Sequence, residues 1–231
     1  MSNNFFQKCS FINRKIFKNN LSILNFGNAS IIDNLRNNIY IKLSGISGIS
    51  CKKKDIAKIP IKNFSLKKYK NTFRPSVDTD IHIKLYKNIS NINCIIHAHS
   101  EYATIIAQSH IQPECYGTTH ADYFYDKIPL SEKIYKIDKN EYESQIAKSI
   151  IKKIKKSKNK YPGILIRDHG VIAWGKTEKE ALNNLIAIEF ICKLYFKTRM
   201  LIKKPKITKS MQKFHYERKH GKNKYYGQVK K

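Results

Sequence analysis

Two histidines separated by one residue, His97 and His99, end a short and mostly apolar segment of the chain. The segment 93–98 is too short for a typical helix, so its pattern predicts a buried strand. Alternate side chains of a strand point to the same face, and both imidazoles would therefore project together. Two such imidazoles can hold a divalent metal ion, but one buried, hydrogen-bonded histidine beside an exposed one gives the same pattern. The pair alone leaves both interpretations open.

Two further residues have the chemistry of metal ligands. His169 follows a predicted strand at 164–166 after two charged residues, and Asp78 stands where a helix is predicted to begin. The carboxylate of Asp78 could cap that helix or bind a metal. Three imidazoles with an open coordination position are typical of a catalytic zinc site, whereas structural zinc sites are closed. The three histidines together therefore favour a catalytic metal site, with Asp78 as the candidate carboxylate.

Two predicted turns contain residues that suit a bound ligand, and the second of them suits a phosphate. Residues 27–30 follow a predicted strand at 21–26, and Ser44-Gly45 follows a predicted strand at 39–43 that includes Lys42. Glycine lets a ligand approach the backbone closely, and hydroxyl and N–H groups near a lysine can hold a phosphate. An ordinary turn is the alternative at 27–30 and, from this stretch alone, the favoured interpretation of Ser44-Gly45.

The remaining pattern predicts alternating helices and strands without a repeat or a linker. Apolar residues at helical spacing predict helices over 5–18, 78–88, 141–156 and 181–200, the last of them mostly buried. Shorter runs predict strands over 57–61 and 171–174. The acid-free N-terminus weakly resembles an organelle presequence, but a first helix of the domain is the favoured interpretation. These elements predict one α/β domain over residues 1–231.

The charge of the chain raises the question of a nucleic-acid partner. The 231 residues carry a net charge of +28, while 41% of them are hydrophobic, which is sufficient for a core. The basic residues are spread along the chain and match no helix-turn-helix, zinc-finger or RNA-recognition motif. We therefore expect nucleic acid to bind only non-specifically, and a dedicated nucleic-acid-binding module is the less favoured alternative.

Cysteine content and hydropathy indicate the compartment. The five cysteines are odd in number and form no C-x-x-C pair, which is typical of a reducing compartment and not of a secreted disulfide framework. Apolar runs stay well below the roughly 18 residues that a membrane span needs. We therefore expect a soluble, cytoplasmic protein without a membrane partner.

Eight segments in a fixed order carry a family resemblance. They are GNAS (27–30), KLSG (42–45), PSVDT (75–79), HAHSEYATIIAQ (97–108), GTTHADYFY (117–125), EYE (141–143), HGVIAWG (169–175) and RKHGKNKYYGQ (218–228). With these segments the chain resembles the L-ribulose-5-phosphate 4-epimerases of the class II aldolase family. The metal histidines alone indicate only the wider family, whereas GTTHADYFY and the YYGQ ending resemble the epimerase branch.

The resemblance implies a fold, a reaction and an assembly. The fold would be an α/β single domain with a central, mainly antiparallel β-sheet flanked by helices. The reaction would interconvert L-ribulose 5-phosphate and D-xylulose 5-phosphate by zinc-assisted cleavage and re-formation of a carbon–carbon bond, with one zinc ion per subunit. A class II aldolase acting on another sugar phosphate is the alternative. The assembly would be a homotetramer whose active sites are shared between neighbouring subunits.

The resemblance also assigns roles to individual residues. It implies zinc ligands at His97, His99 and His169, with Asp78 as a nearby or weaker fourth ligand. It implies that Asp122 and Tyr226 are the two acid/base residues. The implied phosphate and substrate contacts are Gly27, Asn28, Lys42, Ser44, Gly45, Ser76, Val77, Thr118, Glu143 and His215. Val77 stands where the family usually has a second serine, so we expect one hydroxyl donor fewer and weaker phosphate binding.

Overall fold

A six-stranded sheet lies at the centre of the protein, and the computed structural model describes residues 2–69, 73–157, 160–203 and 205–226. The strands are β1 (Asn28–Ile32), β2 (Asn38–Lys42), β3 (Ile56–Pro60), β4 (Cys94–Ala98), β5 (Gly163–Ile166) and β6 (Gly170–Gly175). Their order in the sheet is β3-β2-β1-β4-β6-β5, and every neighbouring pair is antiparallel. The predicted α/β fold with an antiparallel sheet is therefore confirmed.

Helices cover both faces of this sheet. They are α1 (Ser2–Lys18), α2 (Thr79–Asn88), α3 (Glu101–Gln108), α4 (Thr118–Ala121), α5 (Tyr142–Lys155), α6 (Glu178–Leu201) and α7 (Lys209–His220). Helices α1, α3 and α6 pack on one face, and α2 and α5 pack on the other. Among the described residues, no helix combines the length and apolar character that crossing a membrane requires.

The central strands are apolar because both of their faces are buried. Every residue of β1 and β4 is buried. Neighbouring residues of β4 point to opposite sides, so Ile96 joins the core beneath α1, α3 and α6, and Ile95 joins the core beneath α2 and α5. A side chain near the end of β4 therefore emerges at a fixed face of the sheet, and His97 shares the face of Ile95.

The strand predicted at 21–26 is wrong. The backbone of Leu24 is left-handed, with φ of 53°, and Ile23 and Leu24 expose 63% and 70% of their surface. A left-handed residue interrupts the extended conformation, so this apolar run forms turns. Gly27, with φ of 71°, completes the change of direction, and the strand begins at Asn28.

Two helix predictions have different outcomes. The helix predicted at 5–18 is confirmed, since α1 buries Cys9, Ile12 and Ile16 in the core. The prediction that the helix at 181–200 is mostly buried is wrong for one of its faces. Phe190 exposes 48% of its surface and Leu194 exposes 40%, because α6 contacts the sheet along its opposite face only.

Candidate active site

Three histidines converge where β4 and β6 end side by side. His97 lies in β4, His99 follows this strand directly, and His169 lies in the turn between β5 and β6. The Nε2 atom of His97 is 3.1 Å from Nε2 of His99 and 3.1 Å from Nε2 of His169. One ring nitrogen from each histidine lies within 4.8 Å of the other two. We call these residues the histidine triad, which is a group that could hold a metal ion.

The hydrogen bonding and ionisation of the triad fit metal binding. Nδ1 of His97 lies 3.0 Å from the carbonyl oxygen of Val171. A carbonyl only accepts, so Nδ1 carries the proton and Nε2 keeps its lone pair for a ligand. Burial lowers the pKa of His97 and of His99, and burial together with the nearby His97 lowers the pKa of His169 to about 4. Neutral imidazoles around an open position are the donor set of a catalytic zinc site.

Asp78 lies beside the triad but outside the group of three histidines that could hold a metal ion. It precedes α2 without capping it through its side chain, and its Oδ2 atom accepts a hydrogen bond of 2.6 Å from Nδ2 of Asn28. Burial raises the pKa of Asp78, but His97, His82 and the Asn28 bond outweigh burial and lower it overall. The ionised carboxylate therefore places a negative charge next to the triad.

The predicted phosphate pocket surrounds Ser76. Nδ2 of Asn28 donates to Oγ of Ser76 at 3.0 Å, and the Ser76 N–H donates to the Lys42 carbonyl at 3.0 Å. The N–H of Ser44 donates to the Arg74 carbonyl at 2.9 Å. This bond lies beside a short β-bridge between residues 43 and 75, so the N–H of Ser44 is already used within the fold.

Lys42 and Gly45 shape the turn beside this pocket. Lys42 is buried, and its Nζ atom donates to the Ile46 carbonyl at 2.6 Å. Burial lowers the pKa of Lys42. Gly45 is left-handed, with φ of 75°. Lys42 therefore holds the turn from inside, and Val77, of which 40% is exposed, lies at the surface of the same region.

A second polar cluster forms around Asp122, which ends α4. Arg218 donates to its carboxylate at 2.9, 3.0 and 3.1 Å, and Nδ1 of His215 lies 3.2 Å from Oδ1. Nε2 of His220 donates to the Asp122 backbone carbonyl at 2.9 Å. The guanidinium of Arg218 also lies 4.0 Å from the ring centre of Tyr226. Asp122 thus contacts His215 directly and is joined to Tyr226 through Arg218.

Two predicted substrate residues take no part in the side-chain contacts of either cluster, although the Thr118 carbonyl accepts from the Asp122 N–H at 2.9 Å. Thr118 is the exposed first residue of α4. Glu143 is half-buried in the first turn of α5. Their roles stay predictions.

The family of the protein follows from comparison with known proteins. The family model described as "Class II Aldolase and Adducin N-terminal domain" matches residues 7–196. The chain belongs to this family.

Solved structures of class II aldolases share the fold. An L-fuculose 1-phosphate aldolase is 21% identical, with a TM-score of 0.78 over 93% of this chain and 95% of that chain. An L-fuculose 1-phosphate aldolase from Glaciozyma antarctica PI12 is 13% identical, with a TM-score of 0.73 over 93% and 81%. A sugar-phosphate aldolase from Thermotoga maritima is 15% identical, with a TM-score of 0.66 over 87% and 97%. At these identities the likeness shows the fold alone.

Two residues of this class II aldolase-family site were not predicted. For Arg218, the only indication in the sequence of a role in the site was its position in the RKHGKNKYYGQ segment. His82 lies in the first turns of α2, four residues after Asp78, and its N–H donates to the Asp78 carbonyl at 3.1 Å. Its Nδ1 atom is 2.7 Å from Oγ of Ser30, which is 3.0 Å from the Tyr86 hydroxyl. Burial lowers the pKa of His82 to about 3, so a neutral imidazole supports the helix behind Asp78.

Proposed function

We propose that this class II aldolase-family protein is an L-ribulose-5-phosphate 4-epimerase, which interconverts L-ribulose 5-phosphate and D-xylulose 5-phosphate. The observation that carries the proposal is the joining of Asp122 to Tyr226 by Arg218. A carboxylate and a phenol can each take up or deliver a proton. Together with the histidine triad they provide the groups that inversion of a hydroxyl-bearing carbon needs.

The inverted carbon bears a hydroxyl group and no acidic hydrogen, so simple proton abstraction cannot invert it. Breaking and re-forming the adjacent carbon–carbon bond is the alternative. A base removes the proton of the C4 hydroxyl, the electrons of the C3–C4 bond move to the ketone fragment, and glycolaldehyde phosphate forms. After this aldehyde rotates, the ketone fragment attacks its other face, and an acid returns a proton to the new alkoxide. Two proton-moving groups on opposite sides are therefore required.

We assign these two roles to Asp122 and Tyr226, with Arg218 and His215 holding the carboxylate. A zinc ion held by His97, His99 and His169 would polarise the ketone as a Lewis acid. The negative charge of Asp78 would strengthen the hold on the cation. The order in which Asp122 and Tyr226 act depends on the direction of the reaction.

The pocket around Ser76 and Ser44 is assigned to the phosphate of the substrate. The fixed turn at Gly45 and the buried Lys42 would keep the aldehyde fragment bound while it rotates. The side-chain amide of Asn28 already bonds to Asp78 and Ser76, so we assign Asn28 the role of holding these two side chains. Loss of the fragment before re-addition would turn the same chemistry into an aldolase reaction.

We further propose a homotetramer whose active sites lie between subunits. The contacts of Asp122 go to α7, whereas the histidines of the triad contact one another. Asp122 and Tyr226 of one subunit would then serve the triad of its neighbour, with Thr118 beside them and Glu143 near the substrate.

A second candidate function is aldol cleavage of another sugar phosphate. It is favoured by the similarity to an L-fuculose 1-phosphate aldolase. An aldolase releases both fragments, while an epimerase returns one ketose phosphate for another. The two functions therefore differ in their products.

Product analysis of one reaction tests the proposal. The purified protein is loaded with zinc, supplied with L-ribulose 5-phosphate, and monitored by NMR for D-xylulose 5-phosphate; a metal-stripped sample and Asp122→Asn are the controls. Zinc-dependent formation of xylulose phosphate that is lost in Asp122→Asn supports the epimerase. Accumulation of glycolaldehyde phosphate indicates the aldolase. A zinc-bound protein that converts neither this substrate nor L-fuculose 1-phosphate contradicts both candidates.

A further inference from the structure

Helix α3 connects the two stretches of chain that carry His99 and His169. It starts at Glu101, only two residues after His99. At its other end, the Ala107 carbonyl accepts a hydrogen bond of 3.4 Å from the N–H of Asp168, the residue before His169. His110, just past the helix, also contacts the Asp168 carboxylate. The position of α3 therefore bears on two of the three histidines of the triad.

The N-terminus of α3 is capped from another helix. Ser100 occupies the capping position but makes no side-chain cap, and its hydroxyl has no hydrogen-bond partner among the described residues. Glu189 of α6 provides the cap instead, because its Oε1 atom accepts from the Tyr102 N–H and its Oε2 atom accepts from the Ala103 N–H, both at 2.9 Å. One carboxylate thus satisfies two backbone donors that the helix itself leaves unpaired.

The charge of Glu189 suits its position. A helix N-terminus carries a partial positive charge, which a carboxylate stabilises. Ala103 is fully buried, so its N–H cannot turn to bulk water when the carboxylate is removed. An unpaired buried N–H is unfavourable, and the first turn of α3 would shift to find another acceptor. The link between β4 and α3, which consists of His99 and Ser100, would move with it.

We propose that Glu189 is a positioning residue of the metal site: by fixing the first turn of α3 it sets the distance between His99 and His169. This inference rests on the proposed function, because it requires that the histidine triad binds a metal. In this role Glu189 acts on the triad indirectly, through its hydrogen bonds to the backbone of α3. Removing its carboxylate is therefore expected to weaken metal binding without removing a ligand.

The test compares zinc affinity with stability in matched variants. Zinc dissociation constants are measured by chelator competition, and visible spectra of the cobalt-substituted forms report ligand geometry. Thermal unfolding of the metal-free proteins is measured in parallel. The variants are Glu189→Ala and Glu189→Gln, and the control is Glu178→Gln on the same helix, where Glu178 pairs with Lys8 at 3.3 Å near the surface.

Loss of a residue that orients metal ligands typically weakens affinity by about 10–100-fold, and we expect Glu189→Ala to lie in this range with an altered cobalt spectrum. Glu189→Gln keeps one acceptor oxygen and should lie between Glu189→Ala and the wild type, while Glu178→Gln should bind zinc as the wild type does. Unchanged zinc affinity and spectra in both Glu189 variants, with only a lower unfolding temperature, would overturn the positioning role and leave the proposed function intact. A wild-type protein that binds no zinc would overturn both.

Discussion

Arg218 donates three hydrogen bonds, of 2.9, 3.0 and 3.1 Å, to the carboxylate of Asp122, although 96 residues separate the two in sequence. Two of these bonds form the fork geometry in which a guanidinium holds both oxygens of a carboxylate. The same guanidinium also lies over the Tyr226 ring, 4.0 Å from its centre. Arg218 therefore sets the position of both residues to which proton transfer is assigned.

The first prediction concerns Arg218→Lys, which keeps the charge and loses the planar fork. A lysine forms a single point contact, so the Asp122 carboxylate can rotate and the Tyr226 ring loses the planar guanidinium that lies over it. We expect kcat to fall on the order of 100-fold, as small misplacements of catalytic groups cause, with zinc affinity unchanged. Steady-state kinetics and zinc titration measure the two quantities.

Arg199→Lys is the matched control for Arg218→Lys. Arg199 bonds the Tyr116 hydroxyl at 3.4 Å at an exposed position of α6, and its replacement should leave kcat as in the wild type. Equal kcat values in Arg218→Lys and the wild type would contradict the role of the fork.

The second prediction tests whether sites are shared between subunits. His97→Asn removes a proposed metal ligand, and Tyr226→Phe removes a proposed acid/base group, so each variant alone should be nearly inactive. In a tetramer formed from equal amounts of both, random assembly gives about one quarter of the sites an intact triad beside an intact Tyr226. We expect activity to recover toward that fraction of the wild-type rate in hybrids isolated with two affinity tags. Inactive hybrids of verified composition would place Asp122, Tyr226 and the triad of each site in one subunit.

The sheet and the triad could be predicted because their signals are local. Strands β2 to β6 are short apolar runs that end at turns. The histidines lie near the ends of such strands, where alternation fixes the face of each side chain. The strand at 21–26 was misplaced because the backbone of Leu24 is left-handed. A run of apolar residues does not indicate that conformation. Side-chain identity alone does not show that such a run turns.

Helix α7 and its contacts could not be predicted from local patterns. This helix buries none of its residues, so it lacks the apolar face by which a helix is found in a sequence. Its contacts with Asp122 span 93 and 96 residues, and Glu189 reaches α3 across 86 residues. In a chain rich in lysine and arginine, each carboxylate could pair with many different basic residues. The structure is needed to choose among them.

The third prediction concerns Gly27→Ala. Gly27 is left-handed, with φ of 71°, and a Cβ atom there would lie 2.7 Å from the carbonyl oxygen of His97. The left-handed conformation costs an alanine about 1–2 kcal/mol, and the contact adds to this cost by pushing β4 away. We expect lower stability in chemical denaturation together with weaker zinc binding.

Gly45→Ala separates the two causes in Gly27→Ala. Gly45 has a similar φ of 75°, but a Cβ atom there would meet nothing within 4 Å. Gly45→Ala should therefore be destabilised only by the cost of the left-handed backbone. Its zinc affinity should equal that of the wild type. Equal zinc affinity in both variants would show that the contact with the His97 carbonyl does not affect the metal site.

The fourth prediction is a pH dependence of stability that originates in His82. Burial lowers its pKa from 6.5 to about 3 in the folded protein, with Asp78 opposing and His97 adding to this effect. Below pH 6.5 the unfolded chain binds a proton at this position that the folded protein does not bind. The free energy of unfolding therefore falls as the pH decreases from 6.5 toward 3, by about 1.4 kcal/mol per pH unit for one such group.

His82→Gln cannot take up this proton, so in the metal-free protein the slope between pH 4 and 6 should decrease by about this amount. His120, whose pKa burial lowers to about 4, provides a parallel variant, His120→Gln, with a similar change. Urea titrations at each pH measure the slopes, and a His82→Gln slope equal to that of the wild type would show that His82 is not the buried neutral group described here.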